Sequence, residues 1–390
     1  MDTSPRTARP LSRPFRVAFL GGNDRSAIGR THRIAIEMDR QFQLVAGCFS
    51  RRAEVNQASA EAYGVPQERT YASLAQLLAA ERSELDAIAI LTPTDQHHDE
   101  VLACLDAGLP VICEKALAAS SADAERIQQR LEERQGFLAV TYNYSGYPMV
   151  RELKALIAAG ILGRIRQIQI EMPQESFSIV DASGQPRAPQ NWRLRDGAIP
   201  TVSLDLGTHL HSLVNFVTGA QPLRLVAHST SLGNFPQVAD TVSGMIEYSS
   251  AIECNFWFSK AALGQRNGLR LRVFGELGSA EWAQEQPELL VTADNRGNRQ
   301  LRDRASEHID QANLPRYTRF KAGHPAGFIE AFANYYHDVA VALDDHLNLR
   351  SRSTPYVFGI DESLEGLRLF EAVAVSSQEK RWVDVQGAAR

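Results

Sequence analysis

The chain has 390 residues, room for two domains of ordinary size, and its 44% hydrophobic and 22% charged residues mark it as globular rather than disordered or fibrous. Lys plus Arg total 41 against 46 Asp plus Glu, a net charge of −5, so nothing points to a nucleic-acid surface. No apolar run comes near the roughly 18 residues that a membrane span needs.

The first 14 residues hold three Arg and three Pro with no apolar core, and read as a mobile arm rather than a targeting signal. From there to about residue 140 strand and helix alternate. RVAFL (16–20) is a strand and IGRTHRIAIEMD (28–39) a helix. FQLVAGCF (42–49) is a strand, and AEVNQASAEAYG (53–64) a helix stopped by Gly64. SLAQLLAAE is helical. LDAIAILTP (85–93) is a strand ending at Thr92-Pro93, and HDEVLACLDAG a helix closed by Gly108. PVIC (110–113), the helix SADAERIQQRLEER (121–134) capped by Ser120 or Ser121, and the strand FLAVTYN complete the set. The strands are continuous apolar runs, as in a parallel sheet covered on both faces. Alternating β and α units predict a doubly wound, Rossmann-type α/β sheet over residues 15–145. In the usual count for that sheet, the strands ending at Pro93, Cys113 and Asn143 are the fourth, fifth and sixth.

After about residue 150 the pattern changes. MVRELKALIAAG (149–160) is an amphipathic helix. RIRQIQIEM (164–172), LRLVAHSTSL, TVSGMIEYS, IECNFWFS and GLRLRVFG have strand character, and VFGELGSAEW (273–282) signals a hairpin. Successive strands without intervening helices predict an open, largely antiparallel sheet, an α+β domain over 146–390 for substrate binding and oligomerisation. Residues 283–320 look polar and irregular. Helices at 325–345 and about 361–379 close the chain and are candidates to pack back on the first domain.

The segment VAFLGGNDRSAIGRTHR sets a glycine-rich turn between the first strand and the first helix. A dinucleotide pyrophosphate would lie there on backbone N–H groups, with Gly21, Gly22, Asn23, Ile28 and Gly29 as candidates. The spacing is longer than GxGxxG, so an ordinary βα loop is the competing reading. The second strand ends in Ser50, Arg51 and Arg52, with no acid to bind the ribose 2′-OH of NAD. A small hydroxyl followed by two arginines suits a 2′-phosphate and leans the cofactor from NAD toward NADP, unless both arginines merely open a solvated helix.

Thr92-Pro93 with His97, and Glu114-Lys115, fall at strand ends on the side where such sheets bind ligands. SLDLGTHLHSLVNF (203–216) has apolar positions at helical spacing, which puts Asp205 and His209, i and i+4, on one face. A carboxylate one turn from an imidazole can orient it and support its charged form. Together these motifs resemble the glucose–fructose oxidoreductase / inositol dehydrogenase / rhizopine-catabolism (Gfo/Idh/MocA) family. Glu114-Lys115-Ala116 is similar to its Glu-Lys-Pro, Asp205-x-x-x-His209 to its Asp-x-x-x-His, TPTDQHH to its Thr-Pro-x-x-x-His, and GHPAGFIEAFANYY to its late helix. The likeness runs from about residue 15 to 385; Ala116 stands where the family has proline. It implies that Thr92, Pro93, His97, Glu114 and Lys115 lie at the cofactor. It further implies that Lys115 stabilises developing alkoxide beside the nicotinamide, that His209 is the general acid/base, and that Asp205 orients it.

Tyr142, Asn143, Tyr144 and Tyr147 follow the last parallel strand, and Trp192-Arg193 lies in a polar loop before the Asp-x-x-x-His helix. Tyr144, Tyr147, Trp192, Arg193 and, by family analogy, His324 are the substrate-binding candidates, since rings and Arg donors suit sugar hydroxyls. The alternatives are that the tyrosines pack a domain junction, Trp192 anchors its loop and His324 starts a helix. No metal site is expected, because on a helix His209 and His211 diverge by about 200°. Cys48, Cys104, Cys113 and Cys254 lack CxxC spacing and read as buried, reduced thiols, in keeping with a cytoplasmic location. The implied activity is hydride transfer between NAD(P) and a secondary hydroxyl or ketone of a sugar, sugar derivative or cyclitol. Its rivals are a hydrolase or epimerase that retains NAD for transient oxidation, and a non-catalytic NAD(P)-binding regulator. IECNFWFS, taken to place aromatics on the open sheet face, predicts a homodimer or homotetramer joined there.

Overall fold

The computed structural model describes residues 13–385. The arm expected over 1–14 lies outside the described residues apart from Arg13 and Pro14, and Arg13 is paired with Asp86 at 2.6 Å. The described residues form two compact units, one within the spans Met1–Ala118, Ala122–Gly146 and Phe328–Ser363, the other within Ala119–Ser121, Tyr147–Gly327 and Leu364–Arg390.

In the first unit β1 (Phe15–Gly21), β2 (Phe42–Cys48), β3 (Ala87–Leu91), β4 (Val111–Glu114) and β5 (Leu138–Thr141) make a parallel sheet in the order β2-β1-β3-β4-β5. The strands centred on Phe19, Ala89 and Ile112 have no exposed surface there, which is why their sequences do not alternate. The sheet has five strands, not six. The missing one is reduced to a single parallel bridge between Gly47 and Thr70. Its segment, VPQERTYA, is too polar and too short of apolar residues to extend that bridge into a ladder.

Helices α1 (Ala27–Met38), α2 (Ala53–Tyr63), α3 (Leu74–Glu81), α4 (Thr94–Asp106) and α5 (Ser121–Arg134) connect the strands. The Ser26 hydroxyl caps α1 by accepting from Gly29 N, and Gly64, left-handed at φ 72, ends α2. Helix α4 begins four residues earlier than the sequence suggests, because Pro93 already has the φ of a helix entrance. His97 therefore sits in its first turn.

In the second unit α6 (Pro148–Ala158) precedes β6 (Ile165–Pro173), and α7 (Thr208–Thr218) precedes β7 (Pro222–Thr230), β8 (Thr241–Tyr248), β9 (Ile252–Ser259), β10 (Arg270–Gly275), β11 (Gly278–Ala283), β12 (Leu290–Asp294) and β13 (Arg299–Arg302). Helices α8 (Phe328–Leu347) and α9 (Ile360–Glu379) and the short β14 (Val383–Asp384) follow; α8 belongs to the first unit. The nine-stranded sheet runs β13-β12-β11-β10-β6-β9-β8-β7-β14, antiparallel except for the parallel pair β6–β9.

Two expectations are corrected here. Residues 283–320 are not wholly irregular: β12 and β13 form a hairpin within them. Its turn is closed by Gly297 at φ 90 and by Asp294 Oδ1, which accepts from the N–H groups of Arg296 and Asn298. The strand IECNFWFS does not aim its aromatics outward. Phe256 and Phe258 point to the covered face, where Phe258 meets Phe370 of α9 at 6.1 Å, and Trp257 alone of the three faces the other way. There its neighbours on the flanking strands are Glu171 and Ser243, so that face is largely polar.

Candidate functional site

In the first unit, the strand ends at Gly21, Ser50, Thr92 and Glu114 all lie along one edge of the parallel sheet. Gly21 and Gly22 are left-handed, at φ 78 and φ 66. A Cβ on Gly22 would lie 2.5 Å from Leu91 Cδ1, and one on Gly29 would lie 2.1 Å from the Gly22 carbonyl oxygen. The longer loop thus does what the shorter glycine pattern does: it turns sharply and lets α1 press against the turn. Asn23 shapes it, its carbonyl accepting from Ser26 N and its side chain from Arg25 N. Ile28 is half-buried in the first turn of α1, which carries no acid. The cradle fits a dinucleotide pyrophosphate, since glycine backbone and helix N–H groups converge where no Cβ could stand.

At the end of β2, Asn56 Oδ1 accepts from Phe49 N and Ser50 N, and Ser50 Oγ accepts from Arg52 N. Arg51 and Arg52 are exposed, and Arg51 donates to Gln96 Oε1 at 2.6 Å. Nearby, Thr92 Oγ1 donates to Glu100, a residue that no sequence motif singles out. Burial pushes the Glu100 carboxyl up to about 7, against the pull of the Thr92 hydroxyl and Arg51.

His97, expected among the cofactor contacts, is instead a brace. It has no exposed surface, and its Nδ1 and Nε2 lie 2.8 Å from the carbonyl oxygens of Ala116 and Thr92. Burial lowers its pKa. The turn after Glu114-Lys115 is therefore held by a histidine, where the related motif has a proline ring. The Glu114 side chain also points into the unit, 2.9 Å from His32 Nε2 and hydrogen-bonded by Thr141 Oγ1, while Lys115 is half-exposed.

In the second unit the helix expected over 203–216 is not uniform, since Ser203–Gly207 forms a π turn and α7 starts at Thr208. The wider i→i+5 winding keeps residues four apart on one side. Gly207 lets the turn approach its neighbours, since a Cβ there would be 2.5 Å from Phe370 Cε1. Asp205 Oδ2 lies 2.5 Å from Lys260 Nζ and 3.2 Å from Arg193 Nη2. Lys260, at the end of β9, is only 2% exposed, with its backbone tied to Asp240 and Phe177. Sequence reasoning missed it. Its one signal was a lysine closing an apolar strand, the pattern that drew attention to Lys115. His209 is buried in α7, and His211 goes elsewhere, 3.0 Å from Glu365 and stacked near Tyr248.

Arg193 stacks on Trp192 at 4.7 Å, and Trp192 Nε1 donates to Gln190, so the Trp192–Arg193 pair is held beside Asp205. The two tyrosines are not open surfaces for a substrate. Tyr147 is 1% exposed and packs on Trp282 at 5.2 Å, and Tyr144, 4% exposed, lies 6.2 Å from Phe328. His324 is exposed in a loop, four residues ahead of α8 rather than at its start. The four cysteines are buried, and burial pushes the Cys113 thiol well up, which rules it out as a nucleophile. Among the described residues no cluster of three or more His, Cys, Asp or Glu could hold a metal, and no helix is long and apolar enough to cross a membrane.

Comparison with known proteins bears on this geometry. Residues 15–142 match the family model for an oxidoreductase family with an NAD-binding Rossmann fold, and residues 150–281 match the GFO/IDH/MocA C-terminal domain. An uncharacterised oxidoreductase of Bacillus subtilis (strain 168), YfiI, is 30% identical over 391 residues, covering 96% of this chain and 98% of its own. Levoglucosan dehydrogenase of Pseudarthrobacter phenanthrenivorans is 23% identical over 54% of this chain and 58% of that enzyme. The crystal structure of an inositol dehydrogenase homolog from Azotobacter vinelandii, complexed with NADH and myo-inositol, superposes with a TM-score of 0.87 at 28% identity, covering 96% of this chain and 98% of its own.

Proposed function

The chain belongs to the Gfo/Idh/MocA oxidoreductase family, and from that premise we propose that it is a dehydrogenase for a secondary hydroxyl of a sugar, sugar derivative or cyclitol. The observation that carries this is the placing of the Gly21–Gly29 cradle and of Lys115 along one edge of one parallel sheet. The myo-inositol and levoglucosan relatives support the substrate class.

A bound nicotinamide dinucleotide supplies or accepts the hydride. The N–H groups of the cradle hold its pyrophosphate. Ser50, Arg51 and Arg52 receive a 2′-phosphate, the reason to prefer NADP over NAD, since no carboxylate at the end of β2 waits for a free 2′-hydroxyl. The Lys115 ammonium stabilises negative charge growing on the substrate oxygen. His209 takes the hydroxyl proton in oxidation and returns it in reduction. Asp205 supports that imidazole, and Lys260 and Arg193 keep its carboxylate in place. Arg193, stacked on Trp192, donates to substrate hydroxyls.

The test is steady-state NAD(P)H formation by the purified protein against inositols, free sugars and anhydrosugars. Turnover of one of these with stoichiometric cofactor reduction supports the proposal. Substrate turnover that needs bound NAD but yields no net NADH would replace it with the internal-redox reading.

A further inference from the structure

His32, on α1, has no exposed surface, yet both ring nitrogens are engaged. Nδ1 lies 2.5 Å from the Tyr336 hydroxyl on α8, and Nε2 lies 2.9 Å from Glu114 Oε1 at the end of β4. Thr141 of β5 donates to the same Glu114 oxygen. The rings of Phe19 and Phe332 enclose the histidine at 6.5 Å and 5.0 Å. Four elements far apart in sequence thus meet around one carboxylate and the histidine bonded to it, inside an apolar shell.

The chemistry gives the chain of bonds a direction. A buried carboxylate must receive hydrogen bonds, so Nε2 carries the proton toward Glu114. Nδ1 of the neutral ring then accepts, and the Tyr336 hydroxyl, its pKa pushed well up by burial, donates to it. Burial pushes the Glu114 carboxyl up, but the hydrogen bond from His32, then the Lys115 ammonium and the Thr141 hydroxyl, outweigh it and hold the carboxyl below its ordinary value. The titratable groups that face Glu114 are His32, Tyr336, His97, Lys115, Cys113 and Tyr142.

Two features give this network a role beyond packing. His32 lies three residues after Gly29, one turn along the helix whose N-terminus forms the cradle. Glu114 is the residue before Lys115. We propose that His32 and Tyr336 are positioning residues, which lock Glu114 as a buried anchor and so tie the nucleotide-cradle helix to the strand end that carries Lys115. Glu114 then serves the reaction by fixing its neighbour, with its carboxylate turned away from ligand. This rests on the reading that Lys115 acts at the reacting oxygen.

The test is a cycle of His32→Phe, Glu114→Gln and the double variant, with two readouts on the protein without nucleotide and one with it. His32→Phe fills the space but leaves the carboxylate without its main donor. Its melting temperature should fall most near neutral pH, and the deficit should shrink as pH falls and Glu114 takes up its proton in the variant before it does so in the parent. Lys115, its neighbour no longer anchored, should be acylated at a changed rate by an amine-reactive ester at fixed pH, as read by peptide mass spectrometry. Turnover should fall roughly tenfold to a hundredfold through kcat, with substrate KM little moved. Glu114→Gln keeps an acceptor for both donors without the charge, so adding it to His32→Phe should restore most of the lost stability. A pH-independent deficit, additive effects in the double variant, or an unchanged rate of Lys115 acylation would each overturn the proposal. If wild-type protein turns over no polyol, the proposed function fails, yet the stability and acylation readouts still judge the network on their own.

Discussion

Replacing Lys260 by methionine removes a buried cation from a buried anion while keeping the volume of the stem. Lys260 is 2% exposed and Asp205 10% exposed, with 2.5 Å between Nζ and Oδ2. Taking one partner from such a pair costs about 3–5 kcal/mol, mostly because the other charge stays buried. Arg193 remains 3.2 Å from the same oxygen, but at 30% exposure it compensates only in part. The net loss should then be about 2–3 kcal/mol. For a folding unit of this size each kcal/mol moves the melting temperature by about 2–4 °C, so Lys260→Met should melt about 4–12 °C lower. Asp205→Asn in the same chain removes the stranded charge. The double variant should therefore lose less than the sum of the single losses, by about 1–3 kcal/mol. Calorimetry on the four proteins without nucleotide reads this directly. Lys260→Met melting with the parent, or strictly additive losses, would refute the pairing argument and with it the claim that Lys260 keeps Asp205 in place.

Four further outcomes are expected. His209→Ala and Lys115→Ala should each lower turnover by roughly 10²–10⁴ while nucleotide affinity measured by titration stays nearly intact, and Asp205→Asn should cost less and displace the pH profile; normal turnover in His209→Ala would remove the acid/base assignment. Arg51→Ala or Arg52→Ala should weaken NADP(H) and spare NAD(H), whereas indifference of both cofactors would end the 2′-phosphate proposal. Gly29→Ala, whose Cβ would sit 2.1 Å from the Gly22 carbonyl oxygen, should abolish dinucleotide binding in calorimetric titration. Glu100, its carboxyl raised by burial to about 7, holds its proton more tightly in the folded than in the unfolded chain, so its cost to stability is absent at about pH 4, grows as pH climbs from the ordinary carboxylate range to about 7, and levels off above that. Glu100→Gln should accordingly melt with wild type at low pH and above it at about pH 8; a constant offset would contradict the burial of that carboxyl.

What local sequence decided here was whatever depends on neighbours within a turn or a strand. Uninterrupted apolar runs such as AIAIL and PVIC read as doubly covered parallel strands, Gly64 marked the end of α2, and the order of glycine turn, Glu114-Lys115 and Asp205-x-x-x-His209 carried the family with it. The glycines announced their turn even at an unusual spacing, because positive φ at Gly21 and Gly22 is a local requirement. What tertiary structure decided was where each polar side chain finds its partner, since that depends on residues brought together from distant segments. His97 looked like a ligand contact because it follows Thr92-Pro93, but its ring is spent on the carbonyls of Thr92 and Ala116. Tyr144 and Tyr147 looked like sugar platforms until Phe328 and Trp282 covered them. IECNFWFS alternates, so one face had to be apolar, but only the arrival of Phe370 settled which. Lys260 and His32 carried no motif at all. Lys260 becomes part of the site only because β9 ends beside Asp205, and His32 because α1, β4, β5 and α8 close around one carboxylate, where a buried charge must be answered by donors from whichever elements surround it.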